Sequence, residues 1–247
     1  MTSLRDRWQT ESENWVYVTR HRQLASDHHD DFNFPHFLGI LPPPSGPALE
    51  VGCGEGRIVR ALRTGGYDIQ GVDVSETLVR AAKQADPDGR YTVADAASLP
   101  FDDDAFDLVL AFMSLQDIDD FHRAIGEVAR VLKPEGRFCF AILHPLRTAG
   151  VFQSIGSTET FATHGSYFER QEFMVADEVE GVRVEMYSEH RPLEAYTLAL
   201  EQAGFVIEAL REPRPFEDLV RSDGSGISEK WRRIPLMLHV RAALRAG

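Results

Sequence analysis

The sequence predicts an α/β chain built on a doubly wound parallel sheet, and three observations carry that expectation. Between residues 48 and 143, short apolar runs alternate with amphipathic stretches of helical period. Strands laid side by side with crossover helices on both faces produce this alternation. The first apolar run, Ala48-Leu49-Glu50-Val51, leads into glycines at every second position, Gly52, Gly54 and Gly56, before Arg57–Leu62 takes up a helical rhythm. That is a strand, a tight turn and a helix start; glycine allows φ > 0 there and lets a ligand approach bare backbone. The third is Phe106–Phe112, a mostly apolar run bounded by charges, as expected of a strand buried on both faces.

Composition sets the bounds. The 247 residues suffice for one generous domain with accessory segments, and 43% hydrophobic with 26% charged residues is ordinary soluble-globular usage. A formal charge of −13 repels phosphate backbones, so nucleic acid is not an expected partner. Met1–Trp8 carries Arg5, Asp6 and Arg7 and has no apolar core, so no signal peptide is expected. The longest apolar runs are too short to span a bilayer, so no membrane partner is expected either. Cys53 and Cys139 have no metal-ligand spacing and are expected to be reduced, in a cytoplasm.

Taken in order, residues 4–25 read as a helix, with Trp8, Trp15, Val18 and Leu24 at helical spacing. Asp27-His28-His29-Asp30-Asp31 reads as a solvated loop, because neighbouring loop residues rarely converge on one metal ion. A short apolar segment, Phe34–Leu41, and the stiff linker Pro42–Pro47 deliver the chain to the first strand. Strands are expected at 48–51, 69–72, 91–94, 106–112 and 137–143, with helices at 57–64, 76–84 and 121–132. Ser75 stands as the N-cap of the second of these helices. After Pro145 the rhythm stops, and 146–181 is rich in Gly, Ser, Thr and aromatics. A strand at 182–187, a helix at 192–203 closed by Gly204, and strands at 205–210 and 235–241 complete the reading.

The glycine pattern separates cofactor classes. A dinucleotide fingerprint G-x-G-x-x-G begun at Gly52 needs glycine at position 57, where Arg57 stands. The run Glu50-Val51-Gly52-Cys53-Gly54-Glu55-Gly56 instead resembles motif I of the class I S-adenosylmethionine (SAM) methyltransferases. Gly71-Val72-Asp73-Val74-Ser75, Ala94-Asp95-Ala96 with Leu99-Pro100-Phe101, Ala111–Asp117 and Leu132–Gly136 follow in the same order. Together these resemble the ubiquinone/menaquinone-methyltransferase-like (type 11) branch over about residues 48–143, and bacterial small-molecule methyltransferases in particular.

The resemblance implies a Rossmann-like seven-stranded sheet of order 3-2-1-4-5-7-6 with the last strand antiparallel, an N-terminal helical lid and a cap inserted after strand five. The expected divisions are 1–46 (lid), 47–145 (SAM-binding core), 146–190 (cap) and 191–247 (completion of the sheet). It implies that Gly52, Gly54 and Gly56, with Cys53, shape the methionine end. Glu50 would face the methionine amino group, Asp73 with Val74 the ribose, and Asp95 and Ala96 the adenine, with Phe112 beside the reactive centre. Gln116 stands where many relatives carry histidine. Base candidates are then His144 and His190, and Tyr17, Gln116, His164 and Tyr167 are expected to touch the acceptor. Trp15, Phe152, Phe161 and Phe168 are the covering aromatics. No metal is expected. The expected function is methyl transfer from SAM, leaving S-adenosylhomocysteine, to O or N of a small molecule by a monomer or homodimer. The alternatives are a non-catalytic SAM-binding protein on the same fold and an NAD-type oxidoreductase.

Overall fold

A computed structural model describes residues 3–21, 32–155, 158–217, 220 and 228–245. The Asp27–Asp31 cluster and the far end of the expected first helix lie outside them. Among the described residues the strands are β1 (Pro47–Val51), β2 (Asp68–Asp73), β3 (Tyr91–Val93), β4 (Phe106–Phe112), β5 (Leu132–Leu143), β6 (Gly150–Ile155), β7 (Thr158–Thr163), β8 (Gln171–Val179), β9 (Val182–His190), β10 (Phe205–Arg211) and β11 (Met237–Leu244). The helices are α1 (Leu4–His21), α2 (Phe34–Leu38), α3 (Arg57–Thr64), α4 (Glu76–Ala85), α5 (Phe121–Val131), α6 (Pro145–Thr148) and α7 (Leu193–Gln202).

Seven strands form one sheet in the order β3-β2-β1-β4-β5-β11-β10, with β11 antiparallel to both its neighbours and the five strands from β3 to β5 parallel to one another. This is the expected order, the last strand in sequence being the antiparallel one. Alternation along the strands explains the two layers of helices. Leu49, Val51, Val109, Phe138 and Phe140 pack with Phe121, Ile125 and Leu200 from α5 and α7 on one face. Ala48, Leu108, Leu110 and Cys139 pack with Phe37, Val59 and Val79 from α2, α3 and α4 on the other. Both cysteines are free and buried, and burial pushes the Cys139 thiol up to about 12.

The segment 146–181, where the strand–helix rhythm was expected to stop, holds β6, β7 and β8. β6 and β7 form one antiparallel hairpin, and β8 forms a second with β9, which covers the strand expected at 182–187. The second turns at Glu180-Gly181, both with positive φ, which is the backbone a two-residue hairpin loop requires. Burial along β8 is slight, so its sequence carries little hydrophobic alternation and the strand is hard to read from it.

His239 on β11 is fully buried, donates Nε2–H to Asn33 Oδ1 at 2.6 Å and leaves Nδ1 without a partner. Burial, and then the neighbouring His36, hold its pKa down at about 4. The depressed folded value means that the unfolded chain takes the proton first. Stability contributed by this group is present above pH 6.5 and lost as pH falls toward 4, at up to about 1.4 kcal/mol per pH unit. Urea unfolding between pH 7 and 4 is expected to show a flatter acid slope for His239→Gln than for the parent; equal slopes would remove His239 as the cause.

Candidate functional site

The carboxyl edge of the parallel strands opens into a cavity of about 490 Å³, floored by the β1–α3 turn and roofed by α1 and the β8–β9 hairpin. Its geometry starts at Gly52, which leaves β1 with φ +71°. A Cβ there would lie 2.4 Å from the Ser114 side chain, whose Oγ donates to the Val51 carbonyl at 2.6 Å and ties the exits of β1 and β4 together. Gly54, at φ +55°, has only Trp15 Nε1 near its missing Cβ, at 3.9 Å, so its open face is part of the cavity floor. Gly56 lies outside the lining, as the N-cap of α3 against the Tyr91 ring.

Three carboxylates are spread along the floor. Glu50 is 1% exposed, its Oε2 has no hydrogen-bond partner, and burial drives its carboxyl well above the usual range. Asp73 accepts from the Gly54 N–H at 2.8 Å and the Ser75 N–H at 2.9 Å. Burial raises its pKa against those bonds. Asp73 therefore ties β2 to the glycine turn while still lining the cavity. Asp95 accepts from the Ala97 N–H at 2.9 Å and is ion-paired to Arg5 of α1. Cys53, Val74, Ala96 and Phe112 also line the cavity. Nine of the ten residues expected at the cofactor are thus gathered on one wall.

The opposite end is built by longer-range contacts. Asp117, in a short 3-10 turn after β4, accepts from Ser188 Oγ at 2.5 Å, and burial pushes its carboxyl up to about 8. Gln116 donates Nε2–H to the Met113 carbonyl at 2.7 Å and leaves its buried Oε1 without a partner. That turn is held from behind by Arg191, which is fully buried. Its guanidinium donates to the carbonyls of Gln116 (3.2 Å) and Ile118 (2.8 Å), pairs with Glu189 and lies 4.3 Å from the centre of the Phe121 ring.

The roof is attached at several points. The first N–H groups of α1 donate to the Asp119 carboxylate, an acid at a helix N-terminus. Ser12 bonds Ser75 at 2.7 Å, and Glu11 accepts from the Glu185 N–H on β9 at 3.1 Å. Trp8 and Trp15 meet edge to face, 5.5 Å between centres, above the cavity.

Of the acceptor-side expectations, Gln116 lines the cavity and the others do not. Tyr17 donates its hydroxyl to Glu180 at 2.9 Å and stacks on His21. His164 is exposed, and the Tyr167 hydroxyl accepts from the Leu193 N–H at 3.0 Å. His190 has both ring nitrogens occupied, by Thr148 Oγ1 at 2.7 Å and the Tyr167 carbonyl at 2.9 Å. His144 Nδ1 accepts from the Leu146 N–H at 3.0 Å, so Nε2 carries the hydrogen and faces Glu212 at 2.9 Å. Sequence reading missed Asp117, Ser188, Arg191 and Arg147 as site residues. Only Asp117 stood within a stretch that carried the resemblance, and no local spacing marks it.

Residues 49–140 match the family described as "Methyltransferase domain". Malonyl-[acyl-carrier protein] O-methyltransferase of Pectobacterium atrosepticum is 32% identical over 107 residues, 43% of this chain and 42% of that protein. Demethylmenaquinone methyltransferase of Renibacterium salmoninarum is 31% identical over 113 residues, 45% of this chain and 47% of its own. The chain thus matches less than half the length of these relatives. The crystal structure of an S-adenosylmethionine-dependent methyltransferase from Mesorhizobium loti superposes with a TM-score of 0.70 at 26% identity, over 90% of this chain and all of that one. The resemblance read from the motifs and the expected fold are both borne out.

Proposed function

We propose that this chain, whose residues 49–140 form a methyltransferase domain, binds SAM along the glycine turn and transfers its methyl group to a small organic molecule in the roofed half of the cavity. The observation that carries the reading is the unpartnered, buried Glu50 Oε2 beside a turn with an open face at Gly54. A carboxylate oxygen left without a donor in the interior is costly, and an ammonium is the group that satisfies it. The residues fit the cofactor. Glu50 would take the methionine ammonium, Gly52 and Gly54 the adjoining backbone, Asp73 the ribose hydroxyls through lone pairs its two backbone bonds leave over, and Asp95 with Ala96 the adenine edge.

SAM, when bound, supplies a methyl group activated by its sulfonium. The chain's part is to hold the acceptor in line and keep water out, and alignment of this kind is worth up to ~7–11 kcal/mol. Trp8, Trp15 and the β8–β9 hairpin exclude water from above. No histidine lines the cavity among the described residues. Asp117 lines the acceptor side, and burial pushes its carboxyl up to about 8, which makes it a donor rather than a base at neutral pH.

Calorimetric titration is expected to show binding of SAM and S-adenosylhomocysteine without added metal, and none of NAD at comparable concentration. Asp73→Asn, which keeps one acceptor, should weaken SAM by about 1 kcal/mol and lower stability slightly through the Gly54 contact. Tighter binding of NAD than of either sulfur ligand would sink the reading.

A further inference from the structure

The acceptor half of the cavity holds an arginine that no carboxylate among the described residues neutralises. Three arginines line the cavity among the described residues. Arg5 is paired with Asp95, and Arg57 lies within the field of Glu50. Arg147, on α6 just after β5, has no carboxylate within ion-pair distance among the described residues. Its guanidinium lies 4.5 Å from the centre of the Trp231 ring, which is its one described contact, and its buried Nε has no hydrogen-bond partner. Burial alone lowers its pKa, with no neighbouring charge to oppose the effect. Beside Trp231, Met113 and Leu143 pack against Leu236 and Met237, and Phe173 and Met186 add apolar surface to the same cavity.

A half-buried guanidinium that keeps five donors and no anion is an incomplete ion pair. Its planar fork matches a carboxylate, which it can hold through two parallel bonds, and the Trp231 ring 4.5 Å away holds the cation in place. The charge of the missing partner is also constrained. Asp119 and Asp120 line the same cavity, so a phosphate dianion would meet these carboxylates against the Arg147 guanidinium. Resting on the methyltransferase reading, we propose that the methyl acceptor is an apolar molecule bearing a single carboxylate, which Arg147 recognises against the Trp231 ring. Arg147 is then the residue that selects acids over the corresponding amides and amines.

Two scaffolds test this: 4-hydroxyphenylacetate against 4-hydroxyphenylacetamide and tyramine, and decanoate against decanamide. Binding is read from tryptophan fluorescence in the presence of S-adenosylhomocysteine, whose own affinity is measured by calorimetry. At least one carboxylate is expected to bind ten times more tightly than its amide, with tyramine no tighter than the amide. Arg147→Gln should abolish that preference while the S-adenosylhomocysteine affinity stays within about twofold, and Arg147→Lys should keep part of it. An amide bound as well as its acid, tyramine bound best, neither acid bound, or an undiminished preference in Arg147→Gln would each overturn the assignment. Failure of the parent protein to bind S-adenosylhomocysteine would instead overturn the cofactor reading beneath it.

Discussion

Glu50→Gln is expected to weaken SAM binding by about 1.5–3 kcal/mol, roughly ten- to hundredfold, while leaving the ligand-free protein as stable as before or more so. The opposite signs come from one cause. Glu50 is buried with an unpartnered oxygen, and burial holds its carboxyl well above the usual range. The raised folded value means that the stability tied to its proton is full below about pH 4.5 and is lost as pH rises toward the folded pKa. Glutamine, carrying no charge, removes that loss. The parent and the variant should therefore be nearly equally stable near pH 4 and diverge toward neutrality, the variant being the firmer. An ammonium on the cofactor restores the charge balance for the parent alone. Urea unfolding at several pH values, with calorimetry against SAM, measures both halves. Unchanged affinity in a folded Glu50→Gln protein would remove Glu50 from the site.

Arg191→Ala should cost about 3–5 kcal/mol of unfolding free energy, the range seen when one partner of a buried pair is removed. Three losses coincide there. The carbonyls of Gln116 and Ile118 lose their donors, the space against Phe121 empties, and Glu189 keeps only Arg170 at the surface end of the network. For a chain of this size such a loss lowers the melting temperature by roughly 10 °C or more. Arg191→Met refills the volume without the hydrogen bonds and is expected to fall between the two. Because Arg191 holds the turn bearing Gln116 and Asp117 and touches nothing on the glycine side, S-adenosylhomocysteine affinity should change little in whichever variant remains folded. A cost below about 1 kcal/mol for alanine would show that the buried guanidinium is not what secures this turn.

The sequence by itself determined the parts whose cause is local. Apolar runs separated by helical periods made the parallel sheet, because each strand's alternation has to feed two layers of helices. Glycine at 52 and 54 could be read as a ligand-bearing turn because positive φ and a missing Cβ are properties of single residues. Ser75 capped α4 as expected, its side chain accepting from the Leu78 N–H three residues on. The wall on the glycine side was legible for the same reason: Glu50, Asp73 and Asp95 each stand within two residues of a strand's carboxyl end, and parallel strands bring those ends to one edge.

The opposite wall was not legible, because its residues meet only through space. Arg191 reaches the Gln116 carbonyl across 75 positions of sequence, and Ser188 reaches Asp117 across 71. Arg147 follows β5 and Trp231 precedes β11, and only the antiparallel pairing of Leu143 with Met237 brings them to one edge. His144 and His190 show the limit from the other side. Sequence brought both to the correct edge, but the direction of a ring is set by its partners. The Leu146 N–H and Glu212 fix His144, and Thr148 and the Tyr167 carbonyl fix His190 away from the cavity. Backbone placement follows from periodicity and turn chemistry within a few residues. Which polar atoms remain unpartnered inside, and so what the cavity can hold, depends on every segment packed around it.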